Sequence, residues 1–320
     1  MFETFPNLWT PVLPVRQIDK NPMPAQIAGE KIVIFRDTND EWHVLLDKCP
    51  HRGAALSLGD VTDKGELRCP YHGWRYAGDG QCTKVPLNDL NEKALCKIKA
   101  TALPTRFIGG CIWVYTSTTP MSQTEMDALP EPLLPETMLG DPEHYACYTQ
   151  EWQAHWTRAL ENFIDFTHPP YLHKQTIGGW MHNHAESGAL THIEHEDTDY
   201  GKYFLTGLGA NEFKFGVAWY QPGMTQLHFG NTPYKALHVF CIPVNDNHTR
   251  VMNVRLVPSK EDVQTGVEHS LKSDKLVLDE DRLIVESQTG CVLSDPDEIS
   301  VAGDSPSVEF RRWYKALIDN

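Results

Sequence analysis

Residues 49–74 of the chain read CPHRGAALSLGDVTDKGELRCPYHGW. This stretch contains two similar phrases, Cys49-Pro-His51 and Cys69-Pro-Tyr-His72, and each phrase pairs one cysteine with one histidine. Thiolate and imidazole groups in equal number and at short spacing are typical of a protein metal site. The stretch therefore predicts that these four residues bind a metal centre, and the kind of centre bears on both fold and function.

Two kinds of metal centre use this set of ligands. Structural zinc sites bind two cysteines and two histidines, but common zinc fingers pair like residues with like. A Rieske [2Fe–2S] cluster instead places two thiolates on one iron and two imidazoles on the other. Gly53 and Gly73 follow soon after the two histidines, as tight loops around a cluster require. The mixed pairs favour the cluster, with zinc as the alternative.

The composition of the whole chain limits the classes of protein to consider. The chain has 320 residues, a formal net charge of −15 and eight cysteines. This length allows two domains with sizeable cores, and an acidic chain is a poor candidate for binding nucleic acid or an anionic membrane. The first residues, MFETFPNLWTPVLPV, lack the features of a secretory signal, and no apolar run approaches the length of a membrane span. We therefore expect a cytoplasmic protein with reduced cysteines.

Alternating apolar residues predict a β-rich region followed by a mixed region. Early strands are predicted at residues 31–36, 42–46 and 110–115, the first two forming a hairpin around Asn39-Asp40. After a linker rich in Pro, Ser and Thr at 116–142, the pattern predicts the following elements: a helix at 152–166, strands at 202–206, 213–219, 237–242 and 250–256, and helical segments at 260–293 and 307–318. We expect an α+β protein with a small β domain at 1–120 and a domain with an antiparallel sheet at 121–320.

The second region contains a further set of possible metal ligands. Its predicted helix leads into Asp165-Phe-Thr-His168-Pro-Pro-Tyr-Leu-His173. Asn162, Asp165 and His168 are spaced by three residues, which predicts one shared helix face, and Pro169 predicts a bend that returns His173 towards His168. The two histidines alone carry little weight, because the chain has 15 histidines. Two histidines and one carboxylate are, however, the usual ligands of oxygen-activating Fe(II).

Together the two motifs resemble those of the Rieske non-haem iron oxygenases. Cys49-x-His51, a spacer of 17 residues and Cys69-x-x-His72 are similar to the cluster motif of that family, and Asp165-x-x-His168-x4-His173 is similar to its mononuclear iron motif. The resemblance implies an N-terminal all-β Rieske [2Fe–2S] domain and a helix-grip-like catalytic domain that binds mononuclear Fe(II).

The resemblance also implies the third ligand of the mononuclear iron. In the demethylase-like branch of the family, an acidic residue on a late helix completes the site. Asp281, in the stretch LDEDRLIVESQ, matches that residue, with Asp279 and Glu280 as alternatives. An acidic, solvated helix start is the simpler explanation of the same stretch.

The aspartate that Asp165 matches connects the two kinds of metal centre in this family. It bridges a cluster histidine of one subunit to an iron histidine of the next in a ring-shaped trimer. Carried over, His72 of one chain meets Asp165 and His168 of the next, and Asn162 lies beside the iron. The resemblance therefore implies a homotrimer in which Asp165 and Asn162 take part in catalysis.

The implied activity is that of the terminal oxygenase component of a monooxygenase system. Such a component hydroxylates or O-/N-demethylates a small aromatic or cyclic substrate with O2. Its electrons come from a separate NAD(P)H-dependent reductase that carries flavin and iron–sulfur, and this chain has no GxGxxG fingerprint of its own. The alternatives are a cis-dihydroxylating dioxygenase, a Rieske electron-transfer protein without catalysis and a zinc-stabilised binding protein.

Aromatic and histidine side chains of the late sheet are candidates to line the substrate pocket. Because strand side chains alternate, only every second candidate is expected to face it. The candidates are Phe204, Phe213, Phe215, Trp219, His228, Phe229, His238 and Phe240.

Overall fold

The computed structural model describes residues 1–18, 22–188, 191–208, 214–228 and 236–319. The chain divides into two compact units, Met1–Pro132 and Leu133–Asn320. The first unit is built mainly of short strands, and the second combines a large antiparallel sheet with helices. This is the α+β organisation that the sequence predicts.

The strands of the first unit form three antiparallel sheets with the orders β1-β10-β9, β2-β3-β4 and β5-β6-β7-β8. Their bounds, with those of two short helices, are β1 (Trp9–Pro14), β2 (Met23–Ile27), β3 (Glu30–Arg36), β4 (Trp42–Leu46), β5 (Asp60–Val61), β6 (Leu67–Arg68), β7 (Arg75–Tyr76), β8 (Cys82–Lys84), α1 (Glu92–Leu95), β9 (Thr105–Ile108), β10 (Cys111–Tyr115) and α2 (Gln123–Asp127). The predicted hairpin is present as β3 and β4.

The predicted linker at 116–142 is ordered in part, which corrects the prediction. Helix α2 begins at a capping box in which Ser122 and Glu125 satisfy each other's backbone N–H groups. Met126 of this helix packs into the same buried cluster as Cys49 and Cys69. Residues up to Pro132 therefore belong to the first compact unit, while the functional boundary at residue 120 stays a prediction.

The second unit is organised around one sheet of seven strands with the order β11-β17-β16-β15-β14-β13-β12, every neighbouring pair antiparallel. The strands are β11 (Tyr145–Trp152), β12 (Thr191–Thr198), β13 (Gly201–Leu208), β14 (Lys214–Tyr220), β15 (Met224–His228), β16 (Ala236–Asn245) and β17 (His248–Leu256). The helices are α3 (Trp156–Ile164), α4 (Pro169–Leu172), α5 (Gly179–Glu186), α6 (Val263–His269), α7 (Lys275–Val285) and α8 (Ser305–Asp319), with a π-helical turn at Ser270–Asp274 before α7.

The two faces of this sheet have different neighbours. Trp219 packs edge-on against Phe310 of α8 at a ring-centroid distance of 5.4 Å. The face of the sheet that carries Trp219 is the helical face. The pairing register puts Gln150 on the same face, where its side chain donates to Asp279 of α7. His238 points to the opposite face. The helices that carry or surround the second predicted metal site therefore cover one face only.

The predicted helix at 152–166 is shorter than expected. Trp152 ends β11, and α3 begins at Trp156 after His155, whose side chain accepts from the backbone N–H of Thr157. The sheet is correspondingly larger than predicted, because β11, β12 and β15 were not expected. In the described ranges no helix is long and apolar enough to cross a membrane.

Candidate metal centres

The two Cys/His phrases fold into matching loops. In each loop the glycine N–H donates to the carbonyl of the cysteine, at 2.8 Å from Gly53 to Cys49 and 3.0 Å from Gly73 to Cys69. Both glycines have positive φ angles, 72° and 70°, a conformation that most other residues avoid. The glycines that follow the histidines in the sequence therefore close the loops that present the ligands.

The four predicted cluster ligands separate into a buried thiol pair and an outer imidazole pair. Cys49 and Cys69 are each 2% exposed. Burial is the main cause that raises the pKa of Cys69, and the neighbouring thiol of Cys49 raises it further. The rings of His51 and His72 lie 4.6 Å apart, and His72 is exposed. A Rieske cluster needs this separation, with thiolates on one iron and imidazoles on the other. The donor set fits the cluster.

Tyr76 is a neighbour of the cluster site that the sequence reasoning missed. Its hydroxyl lies 3.1 Å from Sγ of Cys49, and the side chain is completely buried. Burial, reinforced by the hydrogen bond to Cys49, raises the pKa of Tyr76 far above its usual range. The hydroxyl therefore stays protonated and donates to the cysteine sulfur when that sulfur is a thiolate.

The chain turns at Asp165, three residues earlier than predicted. Helix α3 ends at Ile164, and Asp165 is extended with φ −79° and ψ 132°. Its carboxylate accepts from the N–H groups of Thr167 at 2.8 Å and His168 at 3.2 Å, and Pro169 starts α4. Asn162, Asp165 and His168 therefore do not share one helix face. Side chains of Asp compete well with helical hydrogen bonds, and here Asp165 ends the helix.

The structure brings His168, His173 and Asp281 together. Oδ1 of Asp281 lies 3.0 Å from Nε2 of His173 and 3.5 Å from Nε2 of His168. Both Nδ1 atoms face other carboxylates, at 3.1 Å from Asp165 and 2.7 Å from Glu280. A carboxylate only accepts, so each Nδ1 carries a proton, and Nε2 is the atom of each ring that faces Asp281.

This convergence of acceptors is the feature that fits a cation. Oδ1 of Asp281 is buried and has no hydrogen-bond donor among the described residues. Burial opposes a positive charge on His173, but the carboxylates of Asp281 and Glu280 outweigh it and raise the pKa of this histidine. Two imidazoles and one carboxylate are the ligand set of non-haem Fe(II). The residues present therefore fit mononuclear iron.

The three acidic residues offered by the sequence have different positions around α7. Asp279 accepts from Gln150 at 2.9 Å and pairs with Lys275. Glu280 accepts from the outer nitrogen of His173, and only Asp281 of the three converges with both Nε2 atoms. A sequence signal for this choice existed, because Asp281 is in helical phase with the buried Leu278 and Val285.

A cavity of about 340 Å³ opens beside His168. Asn162 and Asp165 also line it, and Nδ2 of Asn162 is buried without an acceptor in the described part of the chain. Asn162 and His168 therefore line the same cavity, while a place beside the iron and a catalytic role for Asn162 stay predictions.

Four charged residues missed by the sequence reasoning build one wall of this cavity. Arg158, whose side chain is 3% exposed, donates to both carboxylate oxygens of Glu298 at 3.0 and 2.6 Å. Arg311 donates to Glu161 at 2.6 and 3.0 Å and to Glu298 at 2.7 Å. The network ties α3 and α8 to the loop that carries Glu298.

The candidate pocket residues divide by strand alternation as expected. Phe204, Phe215 and Trp219 lie on the helical face. Trp219 packs against Phe310 and Trp313 of α8 and is therefore not available to a substrate. The other described candidates, His228, His238 and Phe240, lie on the opposite face. Phe213 and Phe229 lie outside the described residues. Phe204 and Phe215 remain as candidates to face a substrate.

A Rieske-type ligand set followed by a two-histidine, one-carboxylate site defines the class of Rieske non-haem iron oxygenases. Comparison with family models agrees: residues 8–95 match the Rieske [2Fe-2S] domain, and residues 152–320 match the vanillate O-demethylase oxygenase C-terminal domain. The chain belongs to this family of oxygenases. It is an oxidoreductase whose cofactors are a Rieske [2Fe–2S] cluster and a mononuclear iron, which sets aside the zinc alternative.

Relatives of known activity include demethylases. The chain is 27% identical over 329 residues to methylxanthine N1-demethylase NdmA of Pseudomonas putida, covering 97% of this chain and 88% of that protein. The structure of NdmB from Pseudomonas putida CBB5 aligns with a TM-score of 0.75 and 25% identity, over 97% of this chain and 90% of that one. Chlorophyllide a oxygenase of Chlamydomonas reinhardtii is also 27% identical over 97% of this chain, but the chain spans only 48% of its length.

Proposed function

We propose that the protein is a terminal monooxygenase component that hydroxylates or O-/N-demethylates a small aromatic or cyclic compound. The observation that carries the proposal is the convergence of His168, His173 and Asp281 on one buried point. Demethylation is hydroxylation of a methyl group followed by collapse of the product, so one oxidant serves both reactions. The demethylase names among the relatives support this branch of the family.

The residues of the two sites have separable tasks in this proposal. Cys49, Cys69, His51 and His72 hold the cluster, and His168, His173 and Asp281 hold the iron. When bound, the cluster supplies single electrons and the iron supplies oxygen activation. The protein's own part is to fix the ligands, to seat the substrate next to the open side of the iron and to limit access of water.

Asp165 is proposed to connect the two kinds of centre. Its Oδ2 accepts from Nδ1 of His168 at 3.1 Å, and the hydrogen bonds from Thr167 and His168 keep the carboxylate in place. Burial opposes ionisation, but the hydrogen bond from His168 and those from Thr167 lower the pKa of Asp165. The carboxylate is therefore charged at neutral pH and able to accept a second N–H.

We infer that this second N–H is His72 of a neighbouring copy in a homotrimer. Tyr71 is 63% exposed beside the exposed His72, so the outer end of the cluster loop projects into solvent. The cavity at Asp165 has exposed apolar residues in its lining, Ile284 at 49% and Ile299 at 89%. An apolar lining around charged groups suits a docking surface better than a free one.

A separate NAD(P)H-dependent reductase with flavin and iron–sulfur is the proposed electron source, because the sequence has no dinucleotide fingerprint. We place the protein in the cytoplasm. None of the eight cysteines, all within the described ranges, forms a disulfide, which suits a reducing compartment.

Single turnover of the reduced protein tests the activity. Protein with both metals loaded is reduced anaerobically, mixed with a panel of N-methylated and O-methylated ring compounds, and exposed to ¹⁸O2. The proposal predicts formaldehyde in an amount that matches the demethylated product, or a product with one ¹⁸O atom. A diol with two ¹⁸O atoms assigns cis-dihydroxylation instead, and the absence of any product across the panel, with cluster oxidation intact, favours an electron-transfer protein. Protein carrying Asp281→Ala is the control for metal-independent chemistry.

A further inference from the structure

His173 is held from both sides by two consecutive residues of α7. Its Nε2 lies 3.0 Å from Oδ1 of Asp281, and its Nδ1 lies 2.7 Å from Oε2 of Glu280. The imidazole is 2% exposed, so water does not compete for either nitrogen. Glu280 therefore contacts the outer side of the histidine and not the point where the proposed ligands converge.

Thr176 holds the Glu280 carboxylate in this position. Its hydroxyl donates to the same Oε2 atom at 2.8 Å, and its backbone N–H donates to the carbonyl of His173 at 3.0 Å. Thr176 and His173 thus belong to one turn after α4, and Glu280 receives a hydrogen bond from each. These two hydrogen bonds fix the orientation of the carboxylate.

We propose that Glu280 is a positioning residue for iron binding, acting through His173. A carboxylate that accepts from Nδ1 fixes the tautomer with a lone pair on Nε2, sets the rotation of the ring and increases the basicity of the ligand. Asp165 stands in the same relation to His168, at 3.1 Å, but it lies in the cavity wall, whereas Glu280 is bound to Thr176. The assignment rests on the proposed function, since it takes His173 as an iron ligand.

Metal affinity measures this role without relying on turnover. Protein with its cluster intact and the second site emptied is titrated anaerobically with Fe(II), and in parallel with Co(II). Glu280→Ala is expected to weaken binding about 10- to 100-fold, the usual effect of losing such a partner. Glu280→Gln retains an oxygen that accepts the Nδ1–H and should recover most of the loss. Asp279→Asn is the matched control, because Asp279 is the neighbouring acid on α7 and faces Gln150 and Lys275.

A second readout separates positioning from general loss of structure. In the Co(II) protein the Nδ1–H proton of each ligand histidine gives a paramagnetically shifted, exchangeable NMR signal. The proposal predicts that Glu280→Ala speeds the solvent exchange of one of these two signals and leaves the other unchanged, and that Asp279→Asn alters neither.

The outcomes distinguish this proposal from the one it rests on. Unmodified protein that binds neither metal at the second site contradicts the proposed function. Normal binding by the unmodified protein, with Glu280→Ala no weaker than Asp279→Asn, overturns only the role of Glu280. Where Glu280→Ala does not fold, Thr176→Val decides, because it releases the carboxylate and leaves the imidazole of His173 and its two carboxylate partners in place. A several-fold weaker affinity supports the proposal, and an affinity equal to that of Asp279→Asn overturns it.

Discussion

Nε2 of His173 and Oδ1 of Asp281 face each other at 3.0 Å in a buried site, where His173 comes from the segment between β11 and β12 and Asp281 from α7, after the last strand of the sheet. With Nδ1 of His173 donating to Glu280, both facing atoms are acceptors, and two buried acceptors repel unless a cation or a proton lies between them. The point between the two atoms therefore attracts positive charge, which is also why the carboxylates of Asp281 and Glu280 raise the pKa of His173 despite its burial.

Replacing Asp281 should remove one metal and leave the other. In Asp281→Ala the two histidines keep their partners Asp165 and Glu280 but lose the anionic ligand, so we expect mononuclear iron affinity and turnover to fall by more than about 100-fold. The visible spectrum of the cluster should be unchanged, since its proposed ligands belong to the other compact unit. Loss of the cluster spectrum in a folded Asp281→Ala protein would contradict this division of labour.

Tyr76 should raise the reduction potential of the cluster. A hydrogen bond to a thiolate stabilises the reduced, more negative state more than the oxidised one, and a difference of about 1 kcal/mol corresponds to roughly 40–50 mV for one electron. Tyr76→Phe is therefore expected to lower the midpoint potential by about that amount in spectroelectrochemical titration. Tyr115→Phe, which alters a tyrosine of β10 in the same unit, serves as control, and equal potentials in Tyr76→Phe and Tyr115→Phe would refute the assignment.

His238 should make the stability of the protein depend on pH. Its Nδ1 donates to the carbonyl of Val254 at 2.9 Å, and its Nε2 accepts from Thr137 at 2.7 Å, so the neutral ring is fully satisfied. Burial lowers the pKa of His238 to about 4. The unfolded chain, with a pKa near 6.5, binds the proton more readily, so stability falls as pH drops from 7 to 5, by about 2 kcal/mol for this group.

Unfolding in urea at pH 7 and at pH 5 measures this dependence. His238→Gln lowers the free energy of unfolding at both pH values. The fall in that free energy from pH 7 to pH 5 should, however, be about 2 kcal/mol smaller than in unmodified protein. His192→Gln removes a histidine that is 73% exposed and should leave the difference unchanged. Burial also lowers the pKa of His155 to about 4. Some dependence of stability on pH therefore remains in both unmodified protein and His238→Gln. Parallel slopes for unmodified protein and His238→Gln would show that the histidine is not buried neutral.

Arg158 and Glu298 should be coupled in stability. Glu298→Ala leaves the guanidinium of Arg158 buried, with Glu161 at 3.8 Å as its remaining carboxylate, and we expect a loss of about 3 kcal/mol in the free energy of unfolding. Glu309→Ala removes a partly exposed acid of α8 and should cost less than about 1 kcal/mol. Combining Glu298→Ala with Arg158→Met should recover part of the loss, because no uncompensated charge remains. A double variant as unstable as the sum of the single changes would contradict the coupling.

Local sequence was informative where ligands are close in the chain. The two Cys/His phrases and the run from Asp165 to His173 each lie within a few residues, so their spacing reports directly on one site. The helix boundary at Asp165 was misjudged for a local reason as well, because the carboxylate accepts from Thr167 and His168 instead of continuing the helix.

Long-range partners could not be predicted from one sequence. Glu280 meets His173, and Arg158 meets Glu298, only because the sheet and the late helices fold back on α3 and α4. The phase of α7 could have separated Asp281 from Asp279, but no pattern in the sequence indicates which histidine Glu280 approaches. Tyr76 could not be predicted for the same reason, because its contact with Cys49 depends on how β7 packs against the loop that follows β4.

The most direct test of the account is the iron content of the purified protein together with the EPR spectrum of its dithionite-reduced form. The account predicts about three irons per chain, a Rieske-type signal, and a fall to about two irons in Asp281→Ala with that signal unchanged. A protein with two irons that takes up no further Fe(II) under anaerobic conditions, or one in which Asp281→Ala retains all its iron, would contradict the central claim that His168, His173 and Asp281 form a mononuclear iron site.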